Sequence, residues 1–202
     1  MPYLIGISGG SGSGKTSFLK GLKKCLDSDQ ATFISFDDYY KPREVQHKDL
    51  AGISNFDLPE SMDIEAFVKD LDSLENGKSI KRLEYVFNNE EATPKHLEIK
   101  SSKVIIIEGL FIYHYLSLKN KFDLKLFVNA DDELKIIRRI KRDKEERNYP
   151  LEDVLYRYKN HVIPSYRQYI QPYIQDMDII INNNHSFEQS LKVICQFIKS
   201  LN

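Results

Sequence analysis

The chain has 202 residues, with 29 basic and 30 acidic side chains, a net charge of -1 and 41% hydrophobic residues. That is enough apolar material for a sizeable core, which excludes wholesale disorder, and the balanced charge lacks the cationic surplus that a sequence-independent grip on nucleic acid requires. No stretch approaches the roughly 20 apolar residues of a membrane span, and the N-terminus lacks the basic lead-in of a signal peptide. With Cys25 and Cys195 read as reduced residues in helices rather than a disulfide, the expected location is cytoplasmic.

In chain order, Tyr3 to Ser8 predicts a buried strand, Thr16 to Leu26 a helix and Ala31 to Ser35 a second strand. The polar stretch from Phe36 to Met62 is long for a connection, which marks it as functional or locally ordered. Asp63 to Glu75 carries a helical apolar stripe stopped by Asn76-Gly77, and Ile80 to Phe87 with His96 to Lys100 predicts a hairpin. Val104 to Ile107 is short and fully apolar, as a central parallel strand should be. Leu124 to Val128 predicts another strand and Asp131 to Arg147 a densely charged helix. A further helical stripe begins at Leu151, with Pro150 suited to its first turn and Pro164 expected to kink or end it. Asp178 to Ile181 predicts the last strand, and Ser186 with Gln189 a capping box opening the last helix. Strands alternating with helices predict an α/β fold, a parallel sheet covered by helices on both faces. We read one domain over 1–202, with a small β-hairpin insertion at about 79–101 and a helical lid at about 138–158.

Gly9-Gly10-Ser11-Gly12-Ser13-Gly14-Lys15-Thr16 fits G-x-x-x-x-G-K-[ST], the phosphate-binding loop of P-loop NTPases, between an apolar strand and a helix. Backbone N–H groups converge on a polyphosphate only where no Cβ intrudes. The pattern assigns Lys15 to the β- and γ-phosphates and the Thr16 hydroxyl to Mg²⁺, and the helix N-terminus adds its dipole. A flexible glycine-serine turn would explain the glycines alone, but not the strand, the Lys-Thr pair and the helix together.

A phosphate loop serves switches and kinases alike. Asp49-Leu50-Ala51-Gly52 fits the switch pattern D-x-x-G, and Asn120-Lys121-Phe122-Asp123 fits the guanine-reading N-K-x-D. The first does not end a core strand and the second precedes its strand, so both read as chance matches. The kinase parts are better placed. Asp37 and Asp38 follow the second strand and Glu108 ends the strand of Val104 to Ile107, all at the C-terminal edge where α/β sheets hold ligands. Asp37 would orient and deprotonate an acceptor hydroxyl, and Glu108 suits Mg²⁺; the bland reading of each is an exposed loop acid or a helix cap. From Arg138 to Arg147, nine of ten residues are charged. A solvated helix stitched by Arg139–Asp143, Lys141–Glu145, Arg142–Glu146 and Asp143–Arg147 explains this run as well as a lid whose arginines meet a transferring phosphoryl group. His47, His96, His114, His161 and His185 have no metal-ligand spacing and read as surface or satisfied core residues.

Taken together, these segments resemble the uridine kinase branch of the phosphoribulokinase/uridine kinase family from about Leu4 to Ile181. The motifs that carry the resemblance are the phosphate loop from Gly6 to Thr16, Ser35-Phe36-Asp37-Asp38-Tyr39-Tyr40, Asn55-Phe56-Asp57-Leu58-Pro59, Glu108-Gly109 and Arg138-Arg139-Ile140-Lys141-Arg142-Asp143. The resemblance implies Mg²⁺ with ATP or GTP as donor, and a nucleoside or other small hydroxyl-bearing acceptor. It implies Asp37 as the base facing a 5′-hydroxyl, Asp57 on the ribose hydroxyls, and Tyr40, Phe56, Tyr85, Phe87, Glu90 and Arg139 in the acceptor pocket. Arg142 and Arg147 would close over the γ-phosphate, and the protein would be a homo-oligomer. Three positions depart from the pattern. Glu90 stands where the family has a base-contacting histidine, Tyr149 replaces a lid arginine, and Arg157 replaces a glutamine. These departures imply a non-standard base preference or a different acceptor, such as another riboside, pantothenate or a sugar phosphate. Asn182-Asn183-Asn184 departs from the usual P-x-G after the last strand and leaves the donor base unread.

Overall fold

The computed structural model describes residues 1–27, 29–87 and 93–201. The chain opens with β1 (Tyr3–Ser8), which the phosphate loop joins to α1 (Lys15–Cys25), and continues through β2 (Thr32–Ser35) into a short 3₁₀ turn, Phe36–Tyr39. A strap folds out and returns where Tyr40 bridges Met62. Then comes α2 (Ile64–Glu75), capped by the Asp63 carboxylate, which accepts from Ala66 N at 3.0 Å, and ended at Gly77 with φ 75°. Next are β3 (Ile80–Leu83) and β4 (His96–Ile99), an antiparallel pair, so the hairpin's strands are shorter than expected. β5 (Val104–Glu108), the short helix α3 (Leu116–Lys119), β6 (Leu124–Asn129), α4 (Asp132–Arg147), α5 (Leu151–Arg157), α6 (Ile163–Ser165), β7 (Ile179–Asn182) and α7 (Glu188–Ser200) complete the chain.

The five parallel strands run in the order β2-β5-β1-β6-β7. Strand periodicity sends alternate residues to opposite faces. Leu4, Ile105 and Ile107 join Phe36, Phe67, Leu71 and Phe111 on one face, while Ile5, Ile7, Val104 and Ile106 join Phe18 and Leu22 of α1 and Ile194 and Ile198 of α7 on the other. That two-sided burial is why these strands read as continuous apolar runs. Among the described residues, no helix is long and apolar enough to cross a membrane.

Four local expectations are corrected. Cys25 and Cys195 form a disulfide between the end of α1 and α7, which segments 170 residues apart in sequence could not reveal. Of the two outcomes expected at Pro164, only the ending is overturned, since the helical path continues to Asp176. π turns at Tyr158–Val162 and Tyr166–Ile170 flank it, and the wider turns relieve the clash its ring would cause. Ser186 makes no capping box; its Oγ accepts from Glu188 N at 3.2 Å, one turn position earlier than Gln189. Of the four stitching pairs, Arg139–Asp143 and Asp143–Arg147 form, Lys141–Glu145 does not form among the described residues, and Arg142 donates to Asp143 in place of Glu146. The two switch-like patterns serve structure: Asp123 accepts from Leu4 N at 2.7 Å, and Asp49 heads a turn.

Candidate active site

Three adjacent strands end together. In the register, Ser35 of β2 and Ile7 of β1 both pair with Glu108 of β5, so the phosphate loop, Glu108 and the Asp37 turn emerge side by side at the C-terminal edge. They border a cavity of about 300 Å³ lined by Ser11, Lys15, Thr16, Asp37, Tyr40, Phe56, Asp57, Tyr85, Phe87, Glu108, Arg139, Arg142 and Arg147, with Arg43, Tyr149 and Arg157 at the same cavity. The fold thus gathers into one cleft most of the side chains singled out above, from segments as distant as Ser11 and Arg157, though Gly9, Gly10, Gly12, Ser13, Gly14 and Asp38 do not line it. Glu90 lies outside the described residues.

The phosphate loop is built by backbone geometry. Gly12 and Gly14 have φ of 80° and 99°, and a Cβ at Gly12 would overlap the backbone carbonyl of Lys135 on α4. Gly9 and Gly10 lead in, Ser13 is buried, and Ser13 O accepts from Asn183 Nδ2 at 2.8 Å. Asn183, in the tripeptide whose role the sequence left unread, therefore props the loop after β7. Gly12→Ala would have to displace α4 or the loop, and we expect the KM for ATP to rise at least about tenfold. Steady-state kinetics with ATP as the varied substrate checks this.

Lys15 is buried and its Nζ donates to Gly10 O at 3.2 Å. Burial pulls its pKa down, while Glu108 and Asp37 hold it up. Glu108, also buried, is pushed up to about 7 by burial and then by Asp37, with Lys15 opposing. It is not the exposed loop acid of the bland reading. Two adjacent acids part company in the 3₁₀ turn. Asp37 lines the cleft, whereas Asp38 Oδ1 accepts from Tyr85 N at 3.1 Å and its backbone carbonyl accepts from Arg82 Nε at 2.8 Å, so it anchors the hairpin.

The opposite wall is α4. Arg139 Nη1 donates to Ser11 Oγ at 2.8 Å and stands 3.6 Å from Asp57 Oδ1, bridging the phosphate loop and the strap. Asp143, only 2% exposed, draws in three guanidiniums: Arg139 at 3.1 Å, Arg142 at 2.7 Å and Arg147 at 3.4 Å. Its role was legible only as two i,i+4 pairs, because its burial depends on α4 leaning across the phosphate loop. Burial and the neighbouring Arg142 lower the Arg147 pKa, and its guanidinium lies 4.1 Å from the Phe87 ring centre. Tyr40 meets Phe56, Tyr85 and Phe87 at centroid distances of 6.0, 5.3 and 5.1 Å. These rings form an aromatic box beyond Asp37. Burial, then Asp37 and Asp57, raise the Tyr40 pKa well above its usual value, so its hydroxyl stays protonated. At the mouth, Arg43 Nη2 donates to Tyr149 OH at 3.2 Å, and Arg157 lies 5.1 Å from the Tyr149 ring centre.

Thr16 and Glu108 offer oxygen donors suited to a hard cation whose remaining ligands come from phosphates and water. Among the described residues no group of three His, Cys, Asp or Glu side chains could hold a metal by itself. The donor set fits an ion that arrives with a nucleotide. The arrangement as a whole joins the phosphate loop and its arginines to an acidic, aromatic chamber.

The model of the Phosphoribulokinase / Uridine kinase family matches residues 4–188. A uridine kinase of Brevibacillus brevis is 36% identical over 180 residues, covering 89% of this chain and 84% of that protein. A uridine kinase of Macrococcus caseolyticus is 35% identical over 198 residues, covering 98% and 96%. Among solved structures, one described as a possible uridine kinase from Bacillus stearothermophilus has a TM-score of 0.62 at 18% identity, covering 89% of this chain and 88% of that one, a likeness of fold.

Proposed function

This chain belongs to the phosphoribulokinase/uridine kinase family, and from that premise we propose that it phosphorylates the 5′-hydroxyl of a ribonucleoside. The chain is an ATP-dependent phosphotransferase acting on a hydroxyl. The observation that carries the finer reading is that Asp37 lines a single cavity together with Lys15 and Thr16 and with Asp57, Tyr40, Phe56, Tyr85 and Phe87.

In this reading the phosphate loop and Lys15 hold the ATP phosphates. Asp57 and Arg139 hold the ribose hydroxyls, while Tyr40, Phe56, Tyr85 and Phe87 enclose the base. The Asp37 carboxylate accepts the proton of the 5′-hydroxyl as that oxygen bonds to the γ-phosphorus. The bond from phosphorus to the bridging oxygen breaks and ADP leaves. Arg142 and Arg147 stabilise charge on the equatorial oxygens and exclude water, which suppresses idle hydrolysis. Thr16 and Glu108 would hold Mg²⁺, which supplies charge neutralisation between the phosphates when bound. Homo-oligomeric assembly belongs to the same proposal and rests on the family alone, as does cytoplasmic location, whose argument from reduced cysteines the Cys25–Cys195 disulfide removes.

Arg43, Tyr149 and Arg157 line the mouth of the chamber with donor-bearing side chains, which suit base edges rich in carbonyl oxygens, so the departures at Tyr149 and Arg157 are compatible with a pyrimidine and do not require a non-standard base preference. Turnover with ATP against uridine, cytidine, purine ribosides, pantothenate and sugar phosphates tests the reading. Ribonucleosides are expected to have the highest kcat/KM, pyrimidines ahead of purines. Failure with every riboside alongside turnover of another acceptor would remove the nucleoside assignment and keep the phosphotransferase.

A further inference from the structure

The turn at Asp49-Leu50-Ala51-Gly52 has no switch role, yet its construction is specific. It tips a small hairpin in which Lys48 bridges Ser54, Asp49 N donates to Ile53 O at 3.0 Å and Asn55 N donates to His47 O at 2.7 Å. Asp49 Oδ1 closes the turn by accepting from Ala51 N and Ile53 N, each at 2.9 Å. The second oxygen leaves the turn altogether. Asp49 Oδ2 accepts from Tyr156 OH at 2.9 Å and lies 2.7 Å from His161 Nε2, 112 residues along the chain. An ionised carboxylate only accepts, so His161 Nε2 carries the proton of this contact. Between these two, Arg157 Nη1 donates to Ser54 O at 2.7 Å. One helical arm therefore grips both strands of the hairpin.

The hairpin runs straight into the acceptor residues. Asn55 Oδ1 accepts from Asp57 N at 2.9 Å, and Asn55 O accepts from Ser61 Oγ at 3.0 Å, so the orientation of Asp57 follows from where the hairpin is held. Little else holds its tip: His47, Lys48 and Leu50 are exposed and contribute nothing to either core cluster. Stability alone does not account for the junction. His161 is 2% exposed and, among the described residues, its buried Nδ1 has no hydrogen-bond partner, an arrangement that costs free energy an apolar side chain would not. It also sits in a π turn, a distortion that recurs at functional sites.

We propose that Asp49, Tyr156 and His161 are positioning residues for the phosphoryl acceptor: by latching the hairpin to the arm that follows α4, they set the distance of Asp57 and Phe56 from Asp37. The proposal rests on the assignment of this chamber to the acceptor. None of the three touches substrate, so their removal should weaken acceptor binding without touching the donor.

The test is steady-state kinetics of His161→Ala, His161→Gln and Tyr156→Phe with uridine and cytidine, alongside amide hydrogen exchange across 48–55. His161→Ala is expected to raise the acceptor KM about tenfold, leaving kcat and the KM for ATP within about twofold. His161→Gln, which returns an N–H donor near the same place, should recover most of the loss. A folded His161→Ala with unchanged acceptor KM, or with an equal rise in the KM for ATP, overturns the proposal. If that variant fails to fold, Tyr156→Phe takes its place, with an expected rise of about threefold and the same criterion. If the wild-type protein turns over no nucleoside, the proposed function fails, and hydrogen exchange still decides the latch. Exchange at 48–55 should be at least tenfold faster in the folded variant, and unchanged exchange sinks it.

Discussion

Lys15→Ala is expected to lower kcat by at least about a thousandfold at saturating ATP and acceptor. Lys15 is the cation of the phosphate loop and lines the cleft with Glu108 and Asp37, both of which favour its charged form. Its ammonium would stay close to the leaving and transferring oxygens as charge shifts between them, in a site where little water screens it. Removing it also leaves the buried Glu108 without the cation that favours its ionised form, so repulsion of the incoming polyphosphate adds to the loss. Lys15→Arg should not rescue, because a planar fork has a different reach and donor geometry from a point charge on a flexible stem. Thermal unfolding confirms that the variants are folded. A folded Lys15→Ala within tenfold of wild-type turnover would remove the loop from the mechanism.

Asp37→Asn is the second large effect, with kcat expected to fall about 10²- to 10⁴-fold while the KM for ATP stays within about twofold. The amide keeps the shape and one acceptor oxygen but cannot take the proton of the hydroxyl. Asp38→Asn is the matched control. It keeps an oxygen for Tyr85 N and changes nothing lining the cleft, so turnover should stay within about threefold. Loss of turnover in Asp38→Asn with Asp37→Asn near wild type would exchange the roles of the two acids. The pair is informative because the residues are adjacent and chemically identical, and only the 3₁₀ turn separates their surroundings.

The readable parts of this protein are those written in contiguous residues. The phosphate loop is one such part, since its glycines, Lys15 and Thr16 lie in a single stretch between a strand and a helix. The apolar runs of β1 and β5 are another, because a strand buried on both faces must be apolar at consecutive positions. Asp37 and Glu108 could be placed at one edge for the same local reason: each follows directly on a strand of a parallel sheet. The aromatic box was legible only in part. Its rings come from the strap and from the hairpin, and their distance from one another is a property of how those segments return.

Residues 4–188 match a known family, and the sequence by itself determined the fold class, the phosphate-binding loop and the acids at the end of the sheet. The tertiary structure alone decided that Asp143 gathers three guanidiniums, that Asp38 serves the hairpin, that Cys25 reaches Cys195 and that Asp49 meets Tyr156 and His161. The physical reason is range. Strand and helix patterns, and the backbone curvature of a glycine-rich loop, are set by neighbours a few positions away, so they survive in the order of residues. The burial of a charge or the partner of a carboxylate is set by which distant surfaces are pressed together, and chain order carries no record of that until the sheet and its covering helices have packed.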